Sequence, residues 1–340
     1  MVLVDNMNDL AGKKVLFICP RFFGYEHEIK SGLAKLGAQV DYYDERPFNS
    51  SFAKILNRLN FKAVIKKSIN DYYSDILRNA VVTDYDYLLV VAPETITADF
   101  IKNLKLNNTK IKTVLYLWDS IKNKKNASNL IGYFDKVVTF DKKDSFIDSR
   151  IEFLPLFYID GYAKDLSRLN NHHYQIAFIG TAHSGRYNLV TTIADSLGTD
   201  KKNSYLFYYS PSRLVFFLKK LFTSELKGMS LKDISFNSMT SKEIISVLAN
   251  TKVVIDIEHP NQNGLTMRTI EMIGMQKKLI TTNKSVMEYD FYNPNNILVI
   301  DRENPYIENS FLHSEYQPIN SEIRKKYDIS SWLINLLSLK

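Results

Sequence analysis

Short apolar runs, each bounded by turn-forming residues, recur along this chain and alternate with segments of helical spacing. Val15–Cys19, Gln39–Tyr43, Tyr87–Val91, Thr113–Leu117 and Lys136–Phe140 are the runs of the first half. Such short apolar runs suit strands covered on both faces, the condition of a parallel sheet. Parallel neighbours cannot be joined by a tight turn, so each pair needs a crossover. Helices supply right-handed ones. The segment from Glu26 to Leu36, stopped at Gly37, has that role between the first two runs.

A polar patch from Asp165 to His173 reads as a linker, and the alternation then restarts. Tyr174–Ile179, ending at Gly180, is a strand; Ser184–Ser196 is a helix; Tyr205–Tyr209 is a strand. A helix over Ser241–Ala249, a strand over Val253–Ile257 and a helix over Leu265–Met275 follow. Lys278–Thr282 and Ile297–Ile300 are the last strands. The tail from Ser321 to Leu339 reads as helical, with Ile323, Tyr327, Trp332, Ile334 and Leu337 as its apolar positions. A chain of 340 residues suits two domains. The expectation is an α/β protein of two Rossmann-like domains, 1–164 and 174–320, facing across a cleft. The helix in 321–340 crosses back to the first domain.

Bulk properties narrow the function. The net charge of +7 suggests phosphate-rich partners. Nucleic acid is set aside, because the lysines are dispersed and no nucleic-acid module is spaced along the chain. Cys19 is the single cysteine, which excludes an internal disulfide and fits a reducing compartment. No run approaches the roughly 20 apolar residues of a spanning helix, and no signal peptide is read. The expected location is cytoplasmic. Two stretches, Phe52–Tyr73 and Tyr205–Lys227, are basic, aromatic and amphipathic. One reading of them is peripheral contact with the anionic inner face of a membrane; the other is ordinary helices packing an apolar face.

In open α/β sheets, ligands bind outside the carboxyl ends of the strands. The loops that start there are at Pro20, Ala92, Trp118 and Asp141, then at Gly180, Ser210, Glu258 and Asn283. The segment Asp256–Glu271 is the most informative of them. It runs from an apolar strand through Asn263-Gly264 into a helix whose first turns carry Arg268 and Glu271, three residues apart. Helix N-termini attract phosphate through unpaired amides and the dipole. A cation beside a diphosphate and a carboxylate beside a ribose diol suit a nucleotide sugar. The plainer reading is a capped helix with an exposed ion pair.

The stretch Gly264-Leu265-Thr266-Met267-Arg268-Thr269-Ile270-Glu271, followed by the strand in 276–283, resembles the donor-binding signature of GT-B glycosyltransferases. It is most similar to the CgeB-like, group 1 enzymes of bacterial surface-polysaccharide (lipopolysaccharide O-antigen or capsule) biosynthesis. The resemblance implies that the backbone of Gly264, Leu265 and Thr266 faces the diphosphate, that Arg268 helps neutralise it, and that Glu271 binds the ribose. Asn263 stands where many related retaining enzymes carry a second Glu. The segment Ile179–Arg186 is similar to the strand–Gly–loop–Arg segment that opens the donor domain of the same family, with Gly180, His183 and Arg186 as donor contacts. It lacks the dinucleotide fingerprint.

Arg21–Glu28 follows the first strand and crowds Glu26, His27 and Glu28 at a helix start. A carboxylate or imidazole there could deprotonate an acceptor hydroxyl, with Glu26 ahead of His27. Asp119 and Glu94, at other strand ends, compete for the role. Acids complementing a helix dipole are the plain alternative. Asp84-Tyr-Asp86 matches a metal motif but precedes its strand, at the wrong end of the sheet, and His172-His173 lacks further ligands. No metal and no cofactor are expected; the substrate is a nucleotide sugar of the UDP or GDP type. The expected reaction is sugar transfer to a hydroxyl of a lipid-linked or growing surface polysaccharide. A GT-B-shaped nucleotide-sugar epimerase and a non-catalytic two-lobed binding protein are the alternatives.

Overall fold

The computed structural model describes residues 10–46, 62–122, 125–164, 172–198, 201–260 and 262–338. Residues 52–61 of the first basic stretch and most of the expected linker, 165–171, lie outside them. The chain divides into two compact units, Met1–Pro155 with Ile329–Lys340, and Leu156–Asp328.

The first unit is built on a parallel sheet. Its elements are β1 Lys14–Cys19, α1 Tyr25–Lys35, β2 Gln39–Asp44, α2 Lys62–Thr83, β3 Tyr87–Val91, α3 Ala98–Asn107, β4 Lys112–Leu117, β5 Lys136–Thr139 and β6 Ile151–Phe153. The strand order is β2-β1-β3-β4-β5-β6, with each pairing parallel. Val15 to Cys19 and Leu88 to Val91 are buried throughout, as strands covered on both faces must be. Ile69, Tyr73, Ile76 and Ala80 line the buried stripe of α2 at helical spacing. The three residues of β6 carry no signal in the sequence, since so short a strand shows no period.

The last helix, α8 Ile329–Leu337, belongs to this unit. Gly32 on α1 makes room for it: a Cβ there would lie 2.8 Å from Leu333 Cδ1. Trp332 meets the Tyr116 ring edge-on at 4.9 Å. Lys136 Nζ donates to the carbonyls of Asn335 and Ser338, at 2.7 and 2.8 Å, and so closes the end of the helix.

The expected continuous tail helix over Ser321–Leu339 is interrupted. A single turn, Ser321–Lys325, ends before Tyr327. There the backbone leaves the helix because Tyr158 N bonds the Tyr327 carbonyl at 2.8 Å, and Asp290 accepts from both Tyr327 Oη and Lys326 Nζ.

The second unit repeats the plan. Its elements are β7 Tyr174–Thr181, α4 Arg186–Ser196, β8 Ser204–Tyr209, α5 Arg213–Phe222, β9 Ile234–Ser235, α6 Ser241–Ala249, β10 Thr251–Asp256, α7 Met267–Met275, β11 Lys278–Thr281 and β12 Ile297–Val299. The order is β12-β11-β10-β7-β8-β9, again parallel throughout. Residues 156–164 join this unit rather than the first. They do so because Gly161 packs on Ile245 of α6, where a Cβ would come within 2.7 Å, and Gly274 of α7 lies so close to the Tyr158 ring that a Cβ would meet it at 2.6 Å.

Candidate functional site

The carboxyl edge of the second sheet gathers most of the charged groups that the sequence singles out there. Asp256, the last residue of β10, is buried and accepts from the hydroxyls of Thr266 and Thr269, at 2.5 and 2.7 Å. Thr266 is also the N-cap of α7, its Oγ1 accepting from Thr269 N at 3.3 Å. The helix therefore starts at Met267, two residues later than the sequence suggests. Leu265 and Ile270 read as helical apolar positions, but they occupy the N′ and N4 positions of a hydrophobic staple, and both are buried. The loop before the cap is held from just beyond β11: Asn283 Nδ2 donates to the carbonyls of Asn263 and Gly264, both at 3.2 Å. Burial raises the Asp256 pKa, against the two threonine hydrogen bonds.

The loop after β7 makes the facing wall. Gly180, the penultimate residue of β7, lies against the Phe178 ring. Ser184 and Gly185 have φ of 55° and 70°, so the helix expected from Ser184 starts at Arg186, with Gly185 as its N-cap. The Ser184 hydroxyl instead bonds His183 Nδ1 at 2.8 Å. Arg186 Nη1 donates to the Thr181 carbonyl at 3.2 Å, while its Nε is buried with no hydrogen-bond partner.

Three further groups close the cluster. Arg302, beyond β12, donates to the carbonyls of Ser184 and Glu258 and to the Glu258 carboxylate. Glu258 also accepts from Thr282 Oγ1. His259 places its ring 5.7 Å from that of His183.

The electrostatics follow from this crowding. Burial, together with Arg186, Lys219, His259 and Arg302, holds the His183 pKa down at about 3. Burial also lowers the Arg186 pKa. A neutral imidazole, two arginines and the start of a helix thus converge, one buried guanidinium nitrogen lacking an acceptor. Such a set favours an anion with several oxygens.

Arg268 and Glu271 stand elsewhere on α7. Residues 266 and 269 address Asp256; 268 and 271 are turned from them by the helical pitch. Arg268 Nη1 meets Glu271 Oε2 at 2.5 Å, with side-chain exposures of 14% and 4%. The Tyr162 hydroxyl lies beside both. The structure pairs these two residues with each other. The lysines of the following strand are structural: Lys277 Nζ caps the Ala249 and Thr251 carbonyls, and Lys278 Nζ the Phe311 carbonyl.

At the carboxyl edge of the first sheet, Glu26 is buried and accepts from Phe22 N at 3.0 Å. His27, 72% exposed, places Nε2 at 3.5 Å from Glu26 Oε1. Asp119 accepts from Ser120 N at 2.9 Å. The two loops adjoin through aromatic edges, Trp118 lying 5.9 Å from Phe22 and 5.7 Å from Tyr25. Glu94 is engaged by Arg46 through two hydrogen bonds of 2.7 and 2.8 Å. Asp86 accepts from Lys14 N and Lys13 Nζ at the amino end of the sheet. His172 lies beside Lys277, and His173 against the Tyr174 ring. Among the described residues no group of three His, Cys, Asp or Glu side chains could hold a metal.

Arg302, Glu258 and His259 are the members of the cluster that no motif in the sequence marks. In the sequence, Glu258 is only the start of a loop. Arg302 follows Ile300, the expected end of the last strand, and the same strand-end rule would have found it.

No family model matches the chain, and no curated protein matches it. Solved structures do. HepE from Anabaena, in complex with UDP and glucose, is 12% identical, with 94% of this chain and 97% of that one covered and a TM-score of 0.59. A trehalose-phosphate synthase (UDP-forming) from Burkholderia xenovorans, in complex with glucose-6-phosphate, is 9% identical over 95% and 98%, with a TM-score of 0.60. Sucrose-phosphate synthase from Thermosynechococcus elongatus is 9% identical over 95% and 97%, with a TM-score of 0.58. The fold is therefore the two-domain α/β arrangement of the GT-B glycosyltransferases.

Proposed function

We propose that this chain is a glycosyltransferase that takes a sugar from a nucleoside-diphosphate donor, of the UDP or GDP type, and passes it to a hydroxyl acceptor. The observation that carries this reading is the convergence of His183, Arg186 and Arg302 at the carboxyl edge of the second sheet, beside Asp256, which holds the N-terminus of α7. Loss of a nucleoside diphosphate puts negative charge on the leaving oxygen. Preorganised donors in a partly dry site stabilise that charge without a metal. The Arg186 Nε and the Arg302 guanidinium are the donors; neutral His183 adds a hydrogen bond to a phosphate or sugar hydroxyl.

Glu271 and Arg268 serve the donor's ribose side as a pair, with Glu271 offered to the diol and Arg268 holding it in place. The acceptor belongs to the first unit, where Phe22, Tyr25 and Trp118 present rings of the kind that stack on sugars. There His27 is the base. Its ring is exposed and the buried Glu26 orients it, so Glu26 is the positioning residue rather than the proton acceptor. A lipid-linked surface polysaccharide, as in the CgeB-like group, is the acceptor class we favour. The net charge of +7 supports it, since such acceptors lie on anionic membranes.

The test is thermal unfolding with UDP, GDP, CDP and ADP and their sugars, which reads binding to the native state. One nucleoside diphosphate should raise the midpoint, and Arg186→Ala should abolish the rise. Turnover that requires an acceptor separates transfer from isomerisation. No shift with any nucleotide sinks the reading.

A further inference from the structure

Helix α5, Arg213–Phe222, is amphipathic in the reverse sense of an ordinary packed helix. Only Phe216 is fully buried, in the core of the second unit. Leu214, Phe217, Leu218, Leu221 and Phe222 are 46% to 75% exposed, and Leu231, in the loop that follows, is 50% exposed. At about 100° per residue, the five side chains on the helix fall within an arc of about 140° opposite Phe216. Scattered exposed apolar residues need no explanation, but a contiguous helix face of leucine and phenylalanine does.

Cations flank this face on both sides. Lys219 borders one edge; Arg213 and Lys220 border the other. Their anchorage is local: Arg213 lies over the Phe236 ring at 5.4 Å, and Lys220 Nζ donates to the Met229 carbonyl at 2.8 Å. Lys227 and Lys232 continue the basic surface. From Arg213 to Asp233 the acids are Glu225 and Asp233. Glu225 faces Lys219 at 3.5 Å, and Asp233 accepts from Ser230 and Tyr187. An apolar stripe between rows of cations matches a bilayer interface, where rings and leucines enter the acyl boundary and basic side chains reach the headgroups.

We propose that α5 with the following loop docks the protein on an anionic lipid surface, lying in the plane of the interface. The charge pattern favours lipid over a second copy of the chain, because two such faces would bring their flanking cations together. The helix follows β8, so its start lies at the same carboxyl edge as the cation cluster, and the charge of Lys219 acts on His183. Docking by α5 therefore brings the candidate donor site close to the headgroups. Membrane contact and nucleotide binding are separate properties, so either can fail without the other.

The experiment is flotation of the full-length protein with vesicles of phosphatidylcholine alone, or of phosphatidylcholine and phosphatidylglycerol in equal parts. The intact protein should partition at least tenfold more strongly onto the anionic vesicles, and high salt should weaken that partitioning. Leu221→Ser with Phe222→Ser should reduce it tenfold or more. Lys220→Glu with Lys227→Glu should act similarly on anionic vesicles alone. All four positions are exposed, so an unchanged thermal midpoint checks that the variants fold. Equal partitioning of the intact and serine-substituted proteins overturns the proposal, as does no binding to anionic vesicles. So does a dimer in sedimentation that the serine substitutions convert to a monomer, since the face would then be covered by another copy.

Discussion

Arg302 reaches back from beyond the last strand of the second sheet to Glu258, donating to its carbonyl at 2.6 Å and to its carboxylate at 3.2 Å. A third bond goes to the Ser184 carbonyl. One guanidinium thus ties the loop after β10 to the loop after β7. A lysine has the charge but not the planar fork. Arg302→Lys should therefore keep part of the anion attraction and lose the clamp. We expect nucleoside-diphosphate affinity to fall about tenfold, or about 1.4 kcal/mol, and about a hundredfold in Arg302→Ala. Calorimetric titration measures both; equal affinities in all three proteins remove Arg302 from the site.

The Arg268–Glu271 pair invites a different comparison. Glu271→Ala leaves a half-buried guanidinium beside Tyr162 without its carboxylate. Breaking a buried pair from one side costs about 3 kcal/mol or more, whereas replacing both partners by apolar residues is often neutral. Arg268→Met with Glu271→Leu should therefore be more stable to urea than Glu271→Ala alone. If the pair also serves the ribose, the double variant stays stable yet binds nucleotide weakly. A double variant that binds as tightly as the parent assigns the pair to the fold alone.

This pair also shows what the sequence could convey. Spacing on a helix placed Arg268 and Glu271 together, and strand ends placed the loops of Gly180 and Glu258 on one edge, because period and order are local properties. The partners of those residues are not local. Tyr162 reaches Glu271 from a segment that polar composition assigned to the other domain, and the packing of Gly161 on Ile245 and Gly274 on Tyr158 that holds it there has no sequence period. Strands β6 and β9 are too short to alternate. The break at Lys326–Asp328 depends on Asp290 and Tyr158, far away in the chain. His183 was legible as a loop histidine, but its neutrality arises from burial and from neighbours contributed by four separate elements.

Thr266 has two roles that one substitution can separate. Its oxygen caps α7, and its hydroxyl proton goes to Asp256. Thr266→Ser keeps both, and should stay within about 0.5 kcal/mol of the parent. Thr266→Ala removes the cap, worth about 1 kcal/mol, and takes one of two hydroxyl donors from a buried carboxylate, worth about 1–3 kcal/mol more. Urea unfolding of the three proteins checks the order. A Thr266→Ala protein as stable as Thr266→Ser contradicts the double role.

His27 and Glu26 make separable predictions as base and positioning residue. His27→Ala should lower kcat about a hundredfold, as loss of a general base does, with donor affinity unchanged. Glu26→Gln keeps an oxygen for Phe22 N but no charge for the imidazole. It should lower kcat about tenfold with donor affinity unchanged, because the imidazole loses the carboxylate that orients it. A kcat unmoved by either change transfers the role to Asp119.

Glu45 gives the fold a pH dependence of its own. Its carboxyl is completely buried at the end of β2; Oε1 accepts from the amides of Glu94, Thr95 and Ile96, and Oε2 has no partner. Burial raises its pKa to about 7, against the pull of those three amides. In the unfolded chain the group titrates near its ordinary value of 4.5. Between these two values the native state therefore holds more protons than the unfolded one, and stability falls as the pH rises through the window. The full change is about 3 kcal/mol, complete above neutrality. Glu45→Gln retains an oxygen for the three amides and cannot ionise. Its urea-unfolding free energy should be flat relative to the parent's between pH 4.5 and 7, so that the variant gains on the parent by that amount at pH 8. If the two curves run parallel, the carboxyl is ionised in the fold at all these pH values, and the amides outweigh burial.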